Sequence, residues 1–133
     1  MIEMTLELAE KAAKAALAKA KALGTPMTAS VVDEAGRLVV TLRGDGTSFL
    51  SPETSRAKAV AAANFRQPTK AMGEMHATSP FWQSVSSVIP GQVLPSIGGV
   101  PIRVSGRVIG GIGCGGGTGE QDHECAEEGA ASI

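Results

Sequence analysis

The chain has 133 residues, 43% hydrophobic and 19% charged, with a net charge of −1, a balance that excludes wholesale disorder and fits one globular domain over residues 1–133. Scattered Lys and Arg leave no electrostatic footprint for nucleic acid, and three Phe, one Trp and no Tyr give base stacking almost no platform. No apolar run approaches the roughly 20 residues of a membrane helix, and the charged, alanine-rich start lacks the pattern of a secretory signal, so no membrane association and a cytoplasmic protein are expected.

Residues 5–23 read as a helix. Thr5 is placed to cap it, Leu6, Ala9, Ala13, Ala16, Leu17 and Ala20 recur at helical spacing, and Gly24 is placed to stop it. The apolar stripe is mostly alanine, which allows a close approach to the next layer. Two β-type runs follow, at 28–33 and 37–43, and the Glu34-Ala35-Gly36 between them signals a hairpin. Gly44-Asp45-Gly46 ends the second run. A second helix then opens with Ser51 as cap and Pro52 in the first turn, and runs to about Arg66, before Pro68.

Residues 69–87 read as short helical turns punctuated by Gly73 and Pro80, and 89–99 as a loop with a short strand at 92–94. A second hairpin is expected from 100 to 113 about Gly106, and a closing helix from Gln121 to Ala131. Helices alternating with hairpins give an α+β domain built on an antiparallel sheet.

Of the 17 glycines, 12 lie at or after Gly91. Gly111-Ile-Gly-Cys-Gly-Gly116 matches G-x-G-x-x-G formally, but a dinucleotide site needs a further parallel strand and an acidic residue about 20 positions on. The better reading is glycine-bearing strand in close packing with a tight exit. Cys114 lies in that tract and Cys125 is the one other cysteine, too few for a disulfide scaffold. Cys114, His123 and Cys125 match no common zinc spacing, and no metal site is expected. Of the two histidines, His76 is the better candidate for an axial or acid–base role. Glu53, Arg56 and Lys58 on the second helix read as a solvated face.

Ala29-Ser-Val-Val-Asp-Glu-Ala-Gly36, Glu53-Thr-Ser-Arg-Ala-Lys-Ala59, Gly98-Gly-Val-Pro-Ile102, Gly106-Arg-Val-Ile-Gly-Gly-Ile-Gly113 and Gln121-Asp122 occur here in a characteristic order. In that order and spacing the chain resembles the GlcG/HbpS haem-binding family, whose domain also forms the C-terminal part of PduO-type cobalamin adenosyltransferases. The resemblance covers about Thr5 to Ile133. It implies a profilin-like, five-stranded antiparallel sheet with helices packed on both sides, and a homo-oligomer, tetramer or octamer, with ligands near subunit interfaces. Where the family tract continues with an aliphatic residue and a Ser-Gly pair, this chain has Cys114-Gly-Gly-Gly117.

The expected function is therefore a cytoplasmic oligomeric protein that binds haem or a related tetrapyrrole, linked to haem degradation or redox sensing. The expected ligand-binding residues are Glu53, Arg56, Arg66, Lys70, Met75, His76, Trp82, Gly98 and Gly99. Met72, Met75, Phe81 and Trp82 would form an interface pocket, and Arg56, Arg66 and Lys70 would meet propionates. The alternative is a small enzyme acting on an organic acid or an aromatic or diol-derived metabolite. There Arg66 or Arg103 holds a carboxylate, with His76 or Cys114 as acid–base or nucleophile.

Overall fold

The computed structural model describes residues 2–133. The first helix, α1, spans Leu6–Leu23; Thr5 Oγ1 accepts from the Leu8 N–H at 3.2 Å, and Gly24 closes the helix with φ +73°. Its buried stripe is Ala9, Ala12, Ala13, Ala16 and Ala20, so its backbone lies close against what it covers. Strands β1 (Thr28–Asp33) and β2 (Leu38–Arg43) form the first hairpin, whose turn is held by Asp33 Oδ1 accepting the N–H groups of Ala35 and Arg37. The second helix, α2, spans Ser51–Phe65; α3 (Thr69–Met75) and α4 (Pro80–Val88) follow as short helices. Strands β3 (Gly99–Val104) and β4 (Arg107–Gly115) form the second hairpin, and α5 (Gly119–Ala131) closes the chain.

The sheet has four strands in the order β2-β1-β4-β3, all pairs antiparallel, not the five that the resemblance implies. The strand expected at 92–94 does not form. Pro90 and Pro95 flank it without ladder donors, and the Leu94 N–H goes instead to the Ala57 carbonyl of α2 at 3.2 Å.

Side chains alternate across the two central strands. Ala29 and Val31 of β1, with Ile112 and Cys114 of β4, join the alanines of α1 and Cys125 and Ala126 of α5 in the main core. The opposite face is set against α2: Val32 meets Ala59 and Ala63, and Gly111, Gly113 and Gly115 lie directly under the α2 backbone. Two hydroxyl chains complete that contact, Thr28 Oγ1 with Ser51 Oγ at 2.9 Å and Ser30 Oγ with Ser55 Oγ at 2.8 Å.

Two helix starts differ from expectation. Ser51 does not cap α2, because its hydroxyl is committed to the Ser48 carbonyl and to Thr28; the cap position falls on Leu50. The α5 helix begins two residues early, because Thr118 and Gln121 form a reciprocal capping box.

Candidate functional site

An open, apolar-walled recess lies between α3, α4 and the segment 94–96. It is a groove of about 480 Å³ lined by His76, Trp82, Gln83, Ser86, Leu94 and Pro95, among others, within the usual span of small-molecule pockets. Pro68 is extended and starts α3 immediately, which brings His76 to the far end of that seven-residue helix. Thr69 then pins α3: its hydroxyl donates to the Ser96 carbonyl at 2.5 Å and accepts from the Gly99 N–H at 2.8 Å. Trp82 makes edge-to-face contacts with Phe65 and Phe81, both at 5.0 Å between centroids. His76 is exposed, and its imidazole makes no hydrogen bond among the described residues.

Of the residues nominated from sequence, His76 and Trp82 meet in this groove, and Met75 sits half-buried beside His76 at the end of α3. The others are elsewhere. Arg56 reaches across to hold the Gly91 carbonyl at 2.7 Å, Lys70 faces Glu120 at 3.5 Å, and Glu53 is exposed in the first turn of α2. Arg66 lines a separate cleft with Arg103. Met72 is fully buried with Ala61 and Val93, so it packs the core rather than an interface pocket.

Gly98 and Gly99 are buried against a feature that helical-face reasoning missed. Lys58, read from sequence as solvated, is buried: its Nζ donates to the Cys114 carbonyl at 3.0 Å and to Asp122 Oδ2 at 3.1 Å. Asp122 Oδ1 in turn accepts the Gly117 N–H at 2.9 Å. Burial lifts the Asp122 carboxyl above the ordinary carboxylate range, and Lys58 and the Gly117 N–H pull it part of the way back. A Cβ on Gly98, whose φ is +124°, would stand 2.9 Å from Lys58 Nζ and 3.0 Å from the Cys114 carbonyl oxygen, so the position admits only glycine. The signal available in sequence was the pairing of Gly98-Gly99 with Gln121-Asp122, but the lysine carried no mark of its own.

Cys114 is fully buried, and burial together with neighbouring Cys125 and Asp122 pushes its thiol well above the usual range. Burial likewise pushes the Cys125 thiol up to about 11. Neither is poised as a nucleophile, since the thiolate is the reactive form. In the folded protein both thiols are expected to resist iodoacetamide at pH 8 over hours and to react within minutes in denaturant; mass spectrometry of the alkylated protein measures this. Rapid labelling of Cys114 in the native state would reinstate it as a candidate nucleophile.

Residues 4–131 match the model of the family described as haem degrading protein HbpS-like. The chain belongs to that family. This HbpS-like chain is 33% identical over 124 residues, 93% of its length and 87% of the relative's, to an uncharacterized 15.0 kDa protein from the dhaT-dhaS intergenic region of Citrobacter freundii. Among solved structures it superposes on a double mutant of Streptomyces reticuli HbpS with a TM-score of 0.89 at 36% identity, covering 100% of this chain and 88% of that one. It superposes on the PduOC:haem complex with a TM-score of 0.88 at 28% identity, covering 99% and 96% of the two chains. No helix among the described residues is long and apolar enough to cross a membrane.

Proposed function

We propose that this HbpS-like chain binds haem or a related tetrapyrrole in the α3–α4 groove, with His76 as the axial ligand. The observation that carries the reading is an imidazole without protein partners beside an aromatic wall. It is supported by the family's description and by the haem complex of a structural relative. The residues fit the group: Trp82, Leu94 and Pro95 supply flat apolar contact, and Gln83 and Ser86 supply a polar edge for carboxylates.

Haem would supply a redox-active iron; His76 would present the imidazole to it, and Trp82, Leu94 and Pro95 would pack against the ring. The groove is open on its other side, which favours closure by a second copy and so the homo-oligomer, tetramer or octamer, that the resemblance implies. A link to haem degradation or redox sensing is the extension of the same reading.

Titrating the protein with haemin at micromolar concentration tests it. A saturable shift of the Soret band is expected, with His76→Ala binding roughly tenfold more weakly, about 1.4 kcal/mol, and giving a different spectrum. Absence of a saturable shift ends the haem reading; an unchanged spectrum in His76→Ala ends the axial assignment.

A further inference from the structure

A second polar recess lies at the C-terminal end of α2, and it shares no lining residue with the groove. Its main cleft, about 340 Å³, is lined by Arg66, Arg103, Arg107, Glu34, Gly106 and Val108, and a smaller lobe continues beside Asn64. Three guanidinium groups face one carboxylate, a local net charge of +2 in a chain whose overall charge is −1.

The end of α2 and the β3–β4 turn bring the three arginines to one cleft. Arg66 is the C-cap of α2, with a left-handed φ of +58° and its N–H on the Ala62 carbonyl. Arg103 donates one N–H to the Arg66 carbonyl at 2.6 Å, satisfying a helix-end acceptor. Arg103 and Arg107 stand at the end of the β3–β4 hairpin, whose turn is Ser105-Gly106 with φ +53° and +78°, the geometry of a tight two-residue hairpin. Arg107 uses one N–H on Glu34 at 2.9 Å and one on the Ile2 carbonyl at 2.8 Å. The Arg66 guanidinium has no hydrogen-bond or ion-pair partner among the described residues. Most of the N–H donors of this trio are therefore unused.

We infer that this cleft is a binding site for a small oxyanion carrying two or more negative charges, a polycarboxylate or a phosphate compound. Planar guanidinium forks match either group bidentately. A monoanion would satisfy one fork and leave the others in mutual repulsion.

The test is isothermal titration calorimetry at low ionic strength with three probes: citrate, inorganic phosphate and acetate. Saturable binding of citrate or phosphate below about 10 mM is expected, at least about tenfold tighter than acetate and weakened by added NaCl. Whichever of the two binds more tightly names the carboxylate or the phosphate source. Arg66→Gly is the decisive variant, because glycine adopts the left-handed cap conformation without strain and leaves the carbonyl that Arg103 holds. It is expected to keep the wild-type melting temperature, lose about tenfold in citrate or phosphate affinity, and leave haemin titration unchanged. No saturable binding of either polyanion, equal binding of acetate, or full affinity in Arg66→Gly would overturn the assignment. A parallel loss of haemin binding in Arg66→Gly would overturn the separation of cleft from groove, whereas failure of haemin to bind the wild type bears only on the groove.

Discussion

Gly113→Ala is expected to lower the melting temperature by about 10 °C or more and to leave much of the protein insoluble on expression. The added Cβ would stand 2.0 Å from the Ser55 carbonyl oxygen and 2.7 Å from the Ala59 nitrogen. Both obstructing atoms are backbone of α2, so no rotamer change relieves them. Gly113 lies on a central strand, paired to Ser30 on one side and Gly99 on the other, so β4 cannot step back without breaking two ladders. The helix must retreat instead, and with it the Ser30–Ser55 hydroxyl contact. Overpacking usually costs about 1–3 kcal/mol; against helix backbone the upper end, about 3 kcal/mol, is the expectation, out of a total stability of roughly 5–15 kcal/mol. Urea and thermal unfolding of the purified variant measure it. A melting temperature within about 3 °C of wild type would mean that α2 is not seated on β4 as described.

Asp122→Ala is expected to cost about 3–5 kcal/mol, because it strands the Lys58 ammonium in a site with one carbonyl partner. Lys58→Met, which removes the ammonium and keeps the volume, is expected to cost less, about 1–2 kcal/mol, because the buried Asp122 carboxyl can take up a proton and keeps the Gly117 N–H. Combining the two changes should recover part of the loss seen in Asp122→Ala alone. Chemical denaturation of the three variants decides the matter. Equal losses in both single variants with no recovery in the double would show that charge compensation is not what the pair contributes, leaving only lost contacts.

Local features were legible because their causes are local. Thr5, Gly24, Gly36 and Gly106 mark ends and turns through their own backbone preferences, and the structure places all four where those preferences act. The nearness of His76 and Trp82 was readable for the same reason, since they are separated by one turn between short helices. The failures involve distance. Arg56 lies on α2 and Arg66 at its C-cap, so ten residues of helix set their stems about 15 Å apart, a separation that nearness in sequence does not report. Lys58 carries the same side chain as its solvated neighbours; what makes it a core residue is Asp122, 64 positions downstream. The missing fifth strand is a competition that spacing cannot report, because Leu94 finds a partner on α2 rather than in the sheet.

The α4 helix has no fully buried side chain and rests on the rest of the protein through Phe81 and half-buried Trp82, which meet Phe65 and the Ala61, Met72 and Val93 cluster. An element with so little buried apolar surface opens at a small free-energy cost, well below that of the sheet and α2. For a ligand in the proposed groove, the measured affinity would be the intrinsic contact energy less the cost of holding α4 in place. Replacing an exposed residue of α4 by a stronger helix former then tightens the ligand without touching it.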